Sequence, residues 1–229
     1  MSVTNIIEKC ERLYEDLDLI CVKEWRKKHG QKAMGYLPIY VPREIIHAAG
    51  LLPVGIMGGG ADLEIIRGDA YYQSYICHLP RSVVELGLSG RPDCLDGMLF
   101  PAICDVIRNL SGIWKLKFKD KYVNYIDLPQ NFDPDVGGEF YAREMRAMYQ
   151  DFCDLAGTLP QAEKINASIK LYNENRQALE SLYQLRIEQP HLVSSYELYL
   201  LMRASNLLEV SEHTALLREY LQKVVHEPR

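Results

Sequence analysis

Between Ala33 and Gly60 the chain reads AMGYLPIYVPREIIHAAGLLPVGIMGGG, a string that fits strand, helix and strand and little else. Its first run, Ala33 to Val41, is too continuously apolar for a half-exposed edge and predicts a strand buried on both faces. Pro42 opens a helix at its first turn, where the missing N–H costs nothing. That helix, PREIIHAA, closes on Gly50 as its C-cap, and Leu51 to Met57 predicts a second strand. Such units are normally parallel and right-handed.

The pattern continues downstream. A helical stretch over Tyr71 to Leu88 contains Cys77 and is bent or restarted at Pro80. Leu95 to Phe100 predicts a third strand. Cys104 then opens CDVIRNLSGIWKL, a helix with Val106, Ile107, Leu110 and Trp114 on one face. Tyr122 to Leu128 is a fourth strand, closed by Pro129. Ahead of all this, residues 4–28 read as one helix capped by Thr4 and broken at Gly30. Beyond residue 136 the character changes, with helices over 138–157, 160–187, 194–206 and 211–225, the last started by Ser211 and Glu212. The expected fold is α/β: an open, mainly parallel Rossmann-like sheet with flanking helices, followed by a helical extension. Residues 1–135 would form the N-terminal helix and α/β domain, and residues 136–229 the extension.

Composition narrows the function. A formal charge of -5 argues against a nucleic-acid partner. No apolar run approaches the roughly 18 residues of a membrane span, and the acids among MSVTNIIEKCERLYEDLD do not fit a signal peptide. A cytoplasmic protein without membrane association is expected. Such a compartment keeps cysteines reduced. The six here (Cys10, Cys21, Cys77, Cys94, Cys104 and Cys153) include no CxxC pair. Cys10, Cys21 and Cys153 fall in helical patterns and read as buried small hydrophobes.

In open α/β sheets ligands bind beyond the carboxyl ends of the strands. That edge should carry Tyr40–Glu44, Met57–Gly60, Pro101–Cys104 and Pro129–Asn131. Cys104 stands at a helix start, where aligned N–H groups favour a thiolate, and Cys77 could face the same edge. Spacing leaves open an iron–sulfur or zinc site, a nucleophile, or inert burial. Gly58, Gly59 and Gly60 lack the Rossmann spacing and read as a flexible turn. His47 reads as a hydrogen-bonded packing residue, and His78 as pointing away from Cys77. Glu44 either favours the positive end of its helix or serves as a catalytic acid or base. Arg43, Arg67, Arg81 and Arg108 could meet phosphates of an anionic substrate or form surface ion pairs. Neither a P-loop nor a G-x-S-x-G elbow occurs.

The blocks YLPIYVPREIIHAAGLLPVGIMGGG, GDAYYQSYICHLPRS, DGMLFPAICDVIRNLSGIWK, YNENRQAL and YLLMRA together resemble the 2-hydroxyacyl-CoA dehydratase and benzoyl-CoA reductase superfamily. Within it they resemble the C-type subunit of ATP-dependent benzoyl-CoA reductase. The resemblance implies an iron–sulfur cluster- and substrate-binding subunit. A paralogous subunit shares the 4Fe-4S cluster and acyl-CoA, while ATPase activator subunits deliver electrons from ferredoxin. The implied reaction is dearomatising reduction of benzoyl-CoA to a cyclic dienoyl-CoA in anaerobic metabolism. The alternatives are radical dehydration by a 2-hydroxyacyl-CoA dehydratase, or a non-catalytic assembly subunit.

In such a subunit three cysteines ligate the cluster, and Cys77 and Cys104 match the first two ligand motifs. The third lies in a later α/β domain, so this sequence is expected to be an N-terminal fragment, inactive alone. Cys153, in DFCDLAG, imitates the late motif as a decoy, and Cys94 precedes a strand. Tyr40 and the turn Gly58–Gly59–Gly60 are implied to lie near the acyl-CoA, with Tyr71 and Tyr72 also suited to an aromatic acyl group.

Overall fold

Four short parallel strands form the centre of the computed structural model, which describes residues 2–60 and 63–226. They are β1 (Ala33–Tyr36), β2 (Leu52–Gly55), β3 (Gly97–Pro101) and β4 (Tyr122–Ile126), in the order β2-β1-β3-β4. Ala33 pairs with Leu52 on one side of β1, and Met34 with Gly97 on the other. The fold is α/β with an open parallel sheet followed by helices, as the sequence pattern indicates.

Successive strand residues point to opposite faces, and both faces are buried. On one, Leu52, Val54, Met98 and Phe100 pack with α2 (Ile20–His29), α4 (His78–Leu88) and α5 (Asp105–Lys117) through Val22, Val83, Leu110 and Trp114. On the other, Met34, Tyr36 and Leu99 meet α3 (Arg43–Ala48) and α6 (Glu139–Ala156) through Ile46, Met148, Phe152 and Cys153. A third core joins α1 (Val3–Glu15) to α7 (Ala162–Glu188), α8 (Ser195–Ala204) and α9 (Val210–Val224). Its centre is Ile6, Cys10, Leu182, Leu201, Leu217 and Tyr220.

Several boundaries differ from the sequence expectation, each for a local reason. The single helix over residues 4–28 is two, α1 and α2. Asp16 interrupts it, because its carboxylate oxygens accept from the backbone N–H groups of Ile20 and Cys21, each at 2.8 Å, and Leu19 turns left-handed at φ 52°. Ser2, not Thr4, caps α1 by accepting from the Asn5 N–H. β1 ends at Tyr36 rather than Val41, since Pro38 offers no N–H to a ladder. The helix expected from Tyr71 begins only at His78, with Pro80 inside its first turn. Glu209, rather than Ser211, caps α9, accepting from the N–H groups of Ser211 and Glu212.

His213 of α9 ties the helical layer together. It is 1% exposed. Its Nδ1 is 2.9 Å from Asn175 Nδ2 on α7, and its Nε2 is 2.8 Å from the Leu201 carbonyl on α8. Asn175 can only donate there, so Nδ1 accepts and the ring is neutral. Burial pulls the imidazole down to about 4. The unfolded chain therefore binds the extra proton first, and stability falls as pH drops from about 6.5 towards 4. Between pH 7 and pH 5 we expect a loss of about 2 kcal/mol from this group. Urea titrations at both pH values check it, and His213→Gln should flatten the difference.

Candidate functional site

The connection from β1 runs to β2 on one side, while β3 leads to β4 on the other. The crevice of such a sheet opens at the carboxyl ends of the two strands between which the direction reverses, here β1 and β3. After β1 the chain bends through Pro38 to Tyr40, which is 62% exposed and held at φ 58°. Left-handed backbone costs an ordinary residue about 1–2 kcal/mol, and such strain gathers at functional sites. After β3 the Ala102 N–H bonds the Ile126 carbonyl at 2.9 Å, and Cys104 follows as the N-cap of α5.

A cleft of about 510 Å³ opens on this edge, with Tyr36, Tyr40, Arg43, Met57, Tyr199 and Arg203 in its wall. The end of α8 closes it over β2. There the Gly55 N–H bonds the Asn206 carbonyl at 2.7 Å, and the Asn206 side chain takes the space a Cβ on Gly55 would need. The Arg43 guanidinium lies 5.1 Å over the Tyr172 ring and against the Tyr36 hydroxyl. Burial raises the Tyr36 phenol, and the Arg43 charge opposes it. Arg203 lies 5.1 Å from the Tyr14 ring and 5.6 Å from that of Tyr199, whose hydroxyl it meets at 2.9 Å.

Cys77 and Cys104 cap the N-termini of α4 and α5, two helices that pack together, and both thiols are exposed. Tyr72 lies near both. Its hydroxyl donates to the Val106 carbonyl in the first turn of α5, at 3.3 Å. Burial pushes its phenol up to about 12, with Cys104 and Cys77 adding to the rise, so one hydroxyl feels both sulfurs. The segment before Cys77 is anchored by Glu85 of α4. Its Oε2 accepts from the N–H groups of Ile66, Arg67 and Gly68 at 3.0, 2.6 and 2.8 Å.

The other four thiols differ. Cys10 and Cys153 are fully buried. Burial pushes Cys10 up to about 11 and also raises Cys21 and Cys94. The described residues assemble no group of three or more His, Cys, Asp or Glu that could hold a metal ion. Cys77 and Cys104 are thus two exposed sulfur donors beside helix N–H groups, a set that fits part of a thiolate-bound cluster and needs further ligands.

The remaining sequence candidates separate. Gly58, at φ 74°, is glycine because a Cβ would collide with Ser82 Oγ, and Gly59 is packed under Leu63. Gly60 is exposed at φ 58°. None of the three lines the cleft of Tyr40. Glu44 pairs with Arg176 of α7 at 2.8 Å, and its carbonyl accepts from Ser168. His47 has the packing role its surroundings indicated, bonded to Ser168 at 2.9 Å and facing Glu209 at 3.3 Å. Arg67 bonds the Leu88 carbonyl, Arg81 pairs with Asp69, and Arg108 lies over Tyr125. Sequence reasoning missed Arg203, Asn206 and Glu85. Only the block YLLMRA hinted at the first, and a helical glutamate gives no hint of a buried carboxylate.

Residues 38–229, which include the Tyr40 loop and both exposed cysteines, match the family described as 2-hydroxyglutaryl-CoA dehydratase, D-component. The chain belongs to this family. It is 54% identical over 226 residues to the benzoyl-CoA reductase subunit of Thauera aromatica that is designated C, covering 98% of this chain and 58% of that protein. It is 29% identical over 229 residues to "(R)-2-hydroxyglutaryl-CoA dehydratase, subunit beta" of Acidaminococcus fermentans, covering 100% of this chain and 60% of the relative. Against "(R)-phenyllactyl-CoA dehydratase beta subunit" of Clostridium sporogenes the figure is 26% over 206 residues, 88% of this chain and 54% of that one. The chain thus spans a little over half the length of these relatives. They are subunits of CoA-thioester enzymes by name, and this chain shares their family. No helix among the described residues is long and apolar enough to cross a membrane.

Glu85 offers a direct test of how the Cys77 segment is held. Glu85→Ala removes a buried acceptor from three backbone donors, and should lower stability by about 3 kcal/mol. Guanidinium titration measures it, and limited proteolysis should show residues 63–77 cut earlier than in the wild type. Glu85→Gln, which keeps an oxygen, should lose less.

Proposed function

We propose that the chain is the iron–sulfur cluster- and substrate-binding subunit of a benzoyl-CoA reductase, with Cys77 and Cys104 as two of the cluster ligands. The observation that carries this is the sorting of six thiols. The two exposed ones stand at the N-caps of adjacent helices on the ligand-binding edge of the sheet. The 54% identity to a protein named as part of a benzoyl-CoA reductase supports the reductase reading.

In this reading the first-turn N–H groups of α4 and α5 stabilise the two thiolates. Tyr72 holds the Cys77 segment to α5 through Val106. Bound there, a 4Fe-4S cluster supplies single electrons at low potential. The wall of Tyr40 and Met57 offers an aromatic acyl group a face to stack on. Glu44, the candidate acid or base, is paired with Arg176. Residues 1–135 form the cluster-binding domain. A paralogous subunit shares the substrate, ATPase activator subunits and ferredoxin supply the electrons, and the complex works in the cytoplasm. A second reading, a 2-hydroxyacyl-CoA dehydratase subunit, is favoured by the family's description and by the two dehydratase relatives.

The ligand assignment is tested on the reconstituted anaerobic complex carrying Cys77→Ser or Cys104→Ser. Each variant should lose most of the subunit's iron and its cluster spectrum, while unfolding at the wild-type temperature. Wild-type iron content in both removes these residues from the site. Turnover of benzoyl-CoA with ATP and reductant, set against a 2-hydroxyacyl-CoA, separates the two chemistries. Dehydration without net reduction assigns the dehydratase.

A further inference from the structure

The cleft at the ends of β1 and β2 holds two guanidinium groups, Arg43 and Arg203. Both are half-buried. A cation withdrawn from water is normally balanced by a carboxylate. Among the described residues, neither arginine has a carboxylate within ion-pairing distance. Arg203 rests on the rings of Tyr14 and Tyr199 and gives one N–H to the Tyr199 hydroxyl. Arg43 rests on Tyr172 and the Tyr36 hydroxyl. Its neighbour Glu44 is taken by Arg176. Arg67 and Arg81, by contrast, are engaged outside the cleft with the Leu88 carbonyl and Asp69.

Arginine stacked on an aromatic ring keeps its edge donors available, in a planar fork that matches phosphate oxygens. The rest of the wall is apolar and aromatic through Tyr40 and Met57, and polar at Ser205 and Asn206. A volume of about 510 Å³ lies within the usual range for small-molecule sites.

We propose that this cleft binds a ligand carrying a phosphate or diphosphate joined to an apolar portion, with Arg43 and Arg203 pairing to the phosphate oxygens. The identification of that ligand as an acyl-CoA rests on the function proposed above. The anion site itself rests on the two arginines and the cleft.

Calorimetric titration of the full chain with CoA, with phosphate-free pantetheine and with inorganic pyrophosphate tests the proposal. CoA should bind at least about tenfold more tightly than pantetheine, and Arg203→Gln should weaken CoA by about tenfold. Arg203→Lys should recover part of that loss, and a thermal melt shows that each variant is folded. Pantetheine binding should not change with Arg203→Gln. Equal affinities for CoA and pantetheine, or a folded Arg203→Gln that binds CoA as the wild type does, overturn the proposal. Failure of all three compounds to bind also overturns it. Arg203-dependent binding of pyrophosphate without binding of CoA upholds the anion site and removes acyl-CoA from it. The iron content of the complex reads the cluster assignment and the CoA titration with Arg203→Gln reads the anion site, so the two failures are read separately.

Discussion

Parallel strands need cover on both faces, and these strands are only four or five residues long. Every crossover must therefore be a helix that lies back across the sheet. That requirement aligns the chain so that strands end and helices begin on a single edge. The edge thus collects the N–H groups of helix first turns, the bends after β1 and β3, and the residues that those bends project. Cys77 and Cys104 are where they are because a covered parallel sheet has one place to put helix N-caps.

Two devices on this edge favour negative charge, and they differ in origin. Around the cysteines it is backbone, the first turns of α4 and α5, assisted by a segment that Glu85 grips through three amides. In the cleft it is side chain, two guanidinium groups resting on aromatic rings. Amide donors are fixed by the fold and suit a compact group held permanently. Guanidinium groups on flexible stems suit a ligand that arrives and leaves. The proposed cluster and the proposed phosphate ligand divide along that line.

What the sequence made legible follows from local chemistry. The strand from Ala33, the helix after Pro42 and the helix opening at Cys104 are all set by neighbours a few residues apart, and they appear, the strand stopping at Tyr36. The break at Asp16 escaped because it needs a carboxylate to prefer two backbone amides over the solvent. Glu85 reads as a surface acid until the segment after β2 folds over it. Arg203 escaped for another reason. It is about 160 residues from Tyr40 along the chain, and the turn after α8, bonded to β2 through Asn206, puts the two in one cleft. The three glycines were visible as a turn, and the packing of Gly58 on Ser82 and Gly59 on Leu63 was not.

The interruption at Asp16 has a bearing on synthesis. Upstream of it, Ile6, Cys10 and Leu13 belong to the core shared with α7, α8 and α9; downstream, Val22 belongs to the sheet. A chain emerging from the ribosome at 5–20 residues per second, roughly, makes its N-terminal units first. The sheet and α2 can assemble once α6 is made to cover the second face, but the apolar stripe of α1 must wait for α8 and α9, about 180 residues later. For that interval α1 stays unburied beside a sheet that is already built. The Asp16 joint lets α1 wait outside without pulling α2 from the sheet.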